Sequence, residues 1–249
     1  MFDLSGKVVV ITGASRGIGR AIAVGAANAG ADVVGVARTQ AALAELGRDV
    51  EAAGRRYLPV AADLLDLETI ETVARVAWEW QGRVEVLVNA AGMIVRSEPP
   101  NVTPEHWDIQ FALNARSPFF LMQAFGKRML AGEGGAIVNV TSVSGEVATR
   151  ASTVYAATKA ALIQMTRVLA VRWAPRIRVN AVGPSYIRTD INSAWLDDPT
   201  NSRYVLERTP MGRFGEPADV VGAVIFLASP AAAYITGHHL LIDGGWTAQ

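Results

Sequence analysis

Short runs of β-branched and apolar residues alternate with longer stretches of helical character along the whole chain, and no other feature restricts its fold as tightly. The strand candidates are Lys7–Thr12, Asp32–Ala37, Arg56–Ala61, Val84–Ala90, Ala136–Thr141, Arg178–Val182 and His239–Asp243. Several are almost continuously apolar, as strands covered on both faces are. The segments between them are long enough for crossover helices. The pattern therefore predicts an α/β architecture, a parallel sheet with helices on both sides. The chain has 249 residues, 51% of them hydrophobic, enough to bury one large core. No Pro/Ser-rich linker and no internal repeat divides it, so residues 1–249 read as one domain.

Composition removes several function classes. Formal net charge is zero, with 23 basic and 23 acidic residues and no basic block, which argues against nucleic acid as a partner. Without cysteine there is no disulfide, no thiol nucleophile and no cysteine-ligated zinc. His106, His238 and His239 do not make a metal site, and no metal is expected. The N-terminal Met-Phe-Asp-Leu has neither the charged nor the apolar region of a secretory signal. The longest apolar tract, Ala21 to Ala37, is interrupted by Asn28, Gly30 and Asp32, so no membrane span is expected and the cytoplasm is the default compartment.

The first strand ends in Thr12-Gly13-Ala14-Ser15-Arg16-Gly17-Ile18-Gly19, and a helix follows from about Ile18 to Ala29. Glycines permit a tight turn and let backbone amides approach a pyrophosphate, while the helix N-terminus adds donors and partial positive charge. The second strand ends Val36-Ala37-Arg38-Thr39, without the carboxylate that would bind an adenosine ribose and repel a 2′-phosphate. Arg38 and Arg16 together favour NADP(H) over NAD(H). Asp63 and Leu64 after strand three, and Asn89-Ala90-Ala91-Gly92 after strand four, lie at carboxyl ends of strands, where α/β sheets bind ligands.

Tyr155 and Lys159 are four residues apart, with Ser142 thirteen residues upstream of Tyr155. Positions i and i+4 share a helix face, so both side chains would enter one site. A free phenol has a pKa near 10, and a neighbouring ammonium favours the phenolate. Half ionisation near pH 7 needs a downward shift of about 3 units, or about 4 kcal/mol, and Lys159 is expected to supply much of it. Ser142 adds a hydroxyl for the same substrate oxygen.

Taken together, these residues resemble the short-chain dehydrogenase/reductase family over nearly the whole chain. The matching pieces are the Thr12–Gly19 loop, Asp63, Asn89-x-Ala91-Gly92, Asn114, Ser142, Tyr155-x-x-x-Lys159, Pro184, Thr189 and the closing Ile242-Asp243-Gly244-Gly245. The resemblance implies a Rossmann-type, doubly wound, seven-stranded sheet, a nicotinamide cofactor and reversible hydride transfer between an alcohol and a carbonyl. It implies that Asn114, Ser142, Tyr155 and Lys159 are catalytic. By the same resemblance, Gly13, Ser15, Arg16, Gly17, Ile18, Gly19, Arg38, Asp63, Leu64, Asn89, Ala90, Gly92, Tyr155, Lys159, Pro184, Ile187 and Thr189 bind the cofactor. A homotetramer is also implied. Two helices with little polar surface agree with it: Thr153–Ala174, with only Lys159, Arg167 and Arg172 as charges, and Pro118–Leu130. Ala90 and Ser185 depart from the family's usual Asn and Gly.

Asn114 lies in the stretch from Pro104 to about Arg116, which reads as helical. Pro118, four residues on, has no amide proton for the Asn114 carbonyl, which is expected to be free to hold a relay water to Lys159. Residues 185–213 follow the nicotinamide end of strand six and read as a substrate lid holding Tyr186, Arg188, Trp195, Arg203, Tyr204 and Arg208. Arg96 and Arg150 border the same region. Arginine reads carboxylate or phosphate bidentately. The pattern fits sugar and sugar-acid dehydrogenases such as the gluconate 5-dehydrogenase group, and it also fits 3-oxoacyl-thioester reductases. The position of Arg96 and the Asp243-Gly244-Gly245-Trp246 ending favour the former. A non-catalytic NADP(H)-binding sensor or scaffold is the alternative of another class.

Overall fold

A computed structural model describes residues 2–248. Seven strands form one sheet: β1 (Val8–Thr12), β2 (Asp32–Ala37), β3 (Tyr57–Ala61), β4 (Val86–Asn89), β5 (Gly135–Val140), β6 (Ile177–Pro184) and β7 (His239–Ile242). All neighbours run parallel, in the order β3-β2-β1-β4-β5-β6-β7. Each predicted strand is present, with ends displaced by at most a few residues.

Alternate residues of the central strands enter two separate cores, which is why those runs are apolar throughout. From β1, Val9 and Ile11 face one core and Val8 and Val10 the other. Helices α1 (Gly17–Asn28), α2 (Gln40–Ala52) and α9 (Pro217–Ala228) cover the first face. Helices α3 (Leu67–Gln81), α5 (Ser117–Ala131) and α6 (Thr153–Trp173) cover the second. Full burial of side chains such as Ile11 or Leu87 is worth about 1.5–3 kcal/mol each. Three shorter helices, α4 (Pro104–Phe111), α7 (Ser193–Leu196) and α8 (Pro199–Leu206), lie near the carboxyl ends of the strands. Among the described residues no helix is long and apolar enough to cross a membrane.

Local chemistry sets the helix ends. Asp66, Thr103 and Asp198 accept backbone bonds in the first turns of α3, α4 and α8. Glu216 and Asp219 form a reciprocal capping box on α9, which begins at Pro217. Arg178 of β6 donates to the Leu227, Ala228 and Ser229 carbonyls at the other end of α9, placing a cation where the helix dipole is negative. The strand order reverses between β1 and β4, and this opens a crevice at their carboxyl ends.

Candidate active site

The floor of the crevice is the turn between β1 and α1. Gly13 and Gly17 have φ of +68° and +53°, a region other residues avoid. A Cβ on Gly13 would lie 2.8 Å from the Ala91 backbone, and one on Gly19 would overlap the Gly13 carbonyl. The Thr12 hydroxyl accepts from the Ala90 and Ala91 amides at 3.1 and 3.2 Å, tying the β1 and β4 ends together. Position 90 thus contributes its amide, and alanine suffices there. No side chain caps α1, and its first turn has no acidic residue, so its leading amides face the crevice unneutralised. The glycine cradle and the open helix end fit a nicotinamide cofactor's pyrophosphate.

A cleft of about 420 Å³ runs from this turn across the sheet. It is lined by Gly13, Ser15, Arg16, Gly17, Ile18, Gly19, Arg38, Asp63, Leu64, Ala90, Gly92, Ser142, Tyr155, Lys159, Pro184, Ile187 and Thr189, all anticipated from sequence. Asn89 does not line it. Its side chain is buried behind the wall and donates to Asn139 Oδ1 at 2.8 Å. Asp190 and Asn192 line the cleft and were not anticipated. Asn192 accepts from the Thr189 amide at 3.0 Å and donates to the Ile187 carbonyl at 2.8 Å. It lies within residues 185–213, the segment that the sequence marks as the lid. Ser185, where the family has glycine, needs no left-handed backbone, since no described non-glycine residue has positive φ.

Ser142 begins a single 3₁₀ turn at Val143–Gly145 and lies directly after Thr141, the residue that follows β5. Its hydroxyl accepts from the Ser144 amide at 3.2 Å and pairs with the Ser144 hydroxyl at 2.8 Å. Tyr155 and Lys159 lie one turn apart on α6. The Lys159 ammonium donates to the Val140 carbonyl at 2.9 Å and lies 5.5 Å from the centre of the Tyr155 ring.

The electrostatics correct one expectation. Burial pushes the Tyr155 phenol up to about 12, and the Ser142 hydroxyl and Arg96 only partly oppose it. Burial also pushes Lys159 down to about 8. The ammonium lies over the ring and bonds a main-chain oxygen, and it is desolvated together with the phenol. Burial therefore outweighs charge, and Tyr155 stays protonated at neutral pH.

Asn114 brings a second correction. The helix expected over 104–116 changes character: α4 ends at Phe111, and Ala112–Arg116 form a π turn before α5. Pro118 has no amide proton for the Asn114 carbonyl, and the ladder shifts by one residue, with the Ser117 amide donating to Ala112. The buried Asn114 side chain accepts from the Met93 amide at 2.9 Å. It donates to the Met93 carbonyl at 2.8 Å and to Thr158 at 3.2 Å. It staples the segment after β4 to α6, beside Lys159.

Residues 185–213 cross above this cluster. Tyr186 stacks on Trp195, and Trp246 packs against Tyr186 and Tyr204. The Arg96 guanidinium lies 4.7 Å from the Trp195 ring centre, and its charge is felt by both Tyr155 and Tyr186. Arg150 and Arg208 lie 4.2 and 4.5 Å from the Tyr204 ring. Arg188 is occupied by Asp197 at 2.6 Å. No cluster of three metal-ligating residues occurs among the described residues.

The comparisons with known proteins agree with this geometry. The family model described as enoyl-(acyl carrier protein) reductase matches residues 13–247. The chain is 37% identical over 250 residues to the 2-dehydro-3-deoxy-D-gluconate 5-dehydrogenase of Escherichia coli, covering 100% of this chain and 98% of that protein. It is 38% identical to the galactitol 2-dehydrogenase (L-tagatose-forming) of Cereibacter sphaeroides, covering 99% and 97%. A gluconate 5-dehydrogenase from Burkholderia cenocepacia, solved with NADP and tartrate, superposes with a TM-score of 0.95 at 34% identity, covering 100% of this chain and 98% of that one. The chain belongs to the short-chain dehydrogenase/reductase family, whose nicotinamide-dependent oxidoreductases act on CH–OH groups.

Proposed function

We propose that the protein is an NADP(H)-dependent dehydrogenase that interconverts the secondary alcohol and ketone of a sugar acid. The observation that carries this reading is the convergence of Ser142, Tyr155 and Lys159 in the cleft, with the Arg96 charge felt at the same phenol. Tyr155 is the general acid of reduction, giving its proton to the substrate oxygen. Ser142 donates a hydrogen bond to that oxygen and stabilises its charge. Lys159 holds the neighbouring ribose and biases the Tyr155 proton. Asn114 positions Lys159, and its carbonyl, left without the Pro118 amide, holds a relay water. A bound nicotinamide supplies or accepts the hydride.

Arg38 and Arg16 at the adenosine end of the cleft, with no carboxylate closing β2, support a preference for the 2′-phosphate. Arg96, held against Trp195 with no carboxylate partner among the described residues, supports an anionic substrate. Residues 185–213 form its lid, and several relatives are named for sugar-acid oxidation. Val168 and Val171 on the outer face of α6, 44% and 82% exposed, support a homotetramer.

NADPH and NADH oxidation against 5-ketogluconate, small keto-sugars and 3-oxoacyl thioesters tests the reading. Turnover of the keto acid with NADPH is expected. Turnover confined to 3-oxoacyl thioesters would replace the sugar acid with that substrate class. Equal use of NADH would refute the role given to Arg16 and Arg38.

A further inference from the structure

His239 has no part in the reaction described above, yet its buried ring reaches the segment that carries Ser142. It lies on β7, and the side chain is 5% exposed. Between β7 and β5 runs β6, where Gly183 leaves a slot. A Cβ at Gly183 would collide with His239 Nε2. Through this slot Nε2 lies 2.8 Å from the Thr141 hydroxyl, and Nδ1 lies 3.1 Å from Glu146 Oε2. Thr141 immediately precedes Ser142, and Glu146 closes the 3₁₀ turn that Ser142 begins.

Proton counting gives this cluster two states. The Glu146 carboxylate only accepts, so Nδ1 carries a hydrogen. Thr141 Oγ1 has a single proton and two possible acceptors, His239 Nε2 and the Val182 carbonyl at 2.7 Å. With a neutral ring, the hydroxyl donates to Nε2 and leaves Val182. With a protonated ring, Nε2–H donates to Thr141, and the hydroxyl turns to Val182 and reinforces the β5–β6 seam beside Ser142. Three charged or titratable groups face the ring: Glu146 from the turn, Arg167 from α6 and His238 from the neighbouring position. Arg167 also lies 3.5 Å from Glu146 Oε2.

We infer that His239 is a positioning residue for the Ser142 hydroxyl: its ring clamps both flanks of the Ser142 turn, at Thr141 and Glu146, and its protonation redirects the Thr141 hydroxyl. The inference rests on the catalytic role given above to Ser142. Burial draws the ring below its ordinary pKa, with Glu146 opposing. The redirection therefore occurs on the acid side of neutrality.

The test combines a measurement without substrate and one with it. In protein carrying isotope-labelled histidine, the ring signal lost in His239→Leu should titrate below an ordinary imidazole. It should fall further in Glu146→Gln. A signal indifferent to Glu146→Gln would overturn the clamp whatever the substrate proves to be. In turnover, His239→Leu should lower kcat about tenfold, leave NADPH affinity unchanged and erase the acid-side inflection of the pH profile. Thr141→Val should reproduce the kcat loss, and Thr141→Ser should restore it. An unchanged profile in His239→Leu, or a parallel fall of kcat, cofactor affinity and thermal stability, would overturn the inference.

Discussion

Tyr155 shows how burial and function pull on one side chain. The phenol is held protonated, which is the form reduction needs, whereas alcohol oxidation needs the phenolate. Reduction should therefore be nearly flat with pH through neutrality. Oxidation should rise with pH, by up to about tenfold per unit while the phenolate remains the minor form. Initial rates in both directions between pH 6 and about 10 check this. Tyr155→Phe should cost about 10²–10⁴-fold in kcat and leave NADPH binding intact. Unchanged turnover would remove Tyr155 from the chemistry. At the other end of the cleft, Arg38→Asp should move cofactor preference toward NADH by about 10–100-fold, the scale of removing one charge-assisted hydrogen bond and adding one repulsion. The ratio of kcat/KM for the two cofactors reads it directly. Sequence named both residues, because i and i+4 neighbours on a helix and the residue after a strand are fixed by local geometry. It misjudged the Tyr155 pKa, because desolvation depends on everything packed around the ring.

Among the elements, the π turn at Ala112–Arg116 is the one that sequence described incompletely. Pro118 signalled an interrupted ladder but not its repair, which uses the Ser117 amide and its hydroxyl on the Ala112 carbonyl. Such a shift is set by what α4 and α5 pack against, and here Asn114 is drawn inward by the Met93 backbone and Thr158. Pro118→Ala supplies an amide for the Asn114 carbonyl. The variant should fold with unchanged cofactor affinity and a kcat lowered about tenfold, because that amide would compete with the proposed relay water for its acceptor. Equal kcat in the variant would show that the carbonyl takes no part. The strands were more legible. In a sheet covered on both faces the apolar run coincides with the element, so boundaries moved by only a few residues.

At the scale of the molecule, the sheet buries two cores and leaves apolar side chains of α6 outside. Val171, 82% exposed on α6, is the clearest of them. A charge there meets water in a monomer and loses hydration only in an assembly. Val171→Glu should shift a tetramer to smaller species with little loss of helix content, as light scattering with circular dichroism would detect. A wild type that is monomeric at micromolar concentration would end the tetramer reading. The sequence by itself determined the α/β class, the glycine-rich turn after β1, the Tyr155/Lys159 pair and the arginine that follows β2. Each is written in spacing along a helix or at the end of a strand, within a few residues of chain. Only the tertiary structure decided the protonated state of Tyr155, the π turn that directs Asn114 and the reach of His239 across β6 to Thr141. These depend on groups up to 98 residues apart in the chain, brought together by packing, and burial and proton sharing between such groups have no local pattern to read.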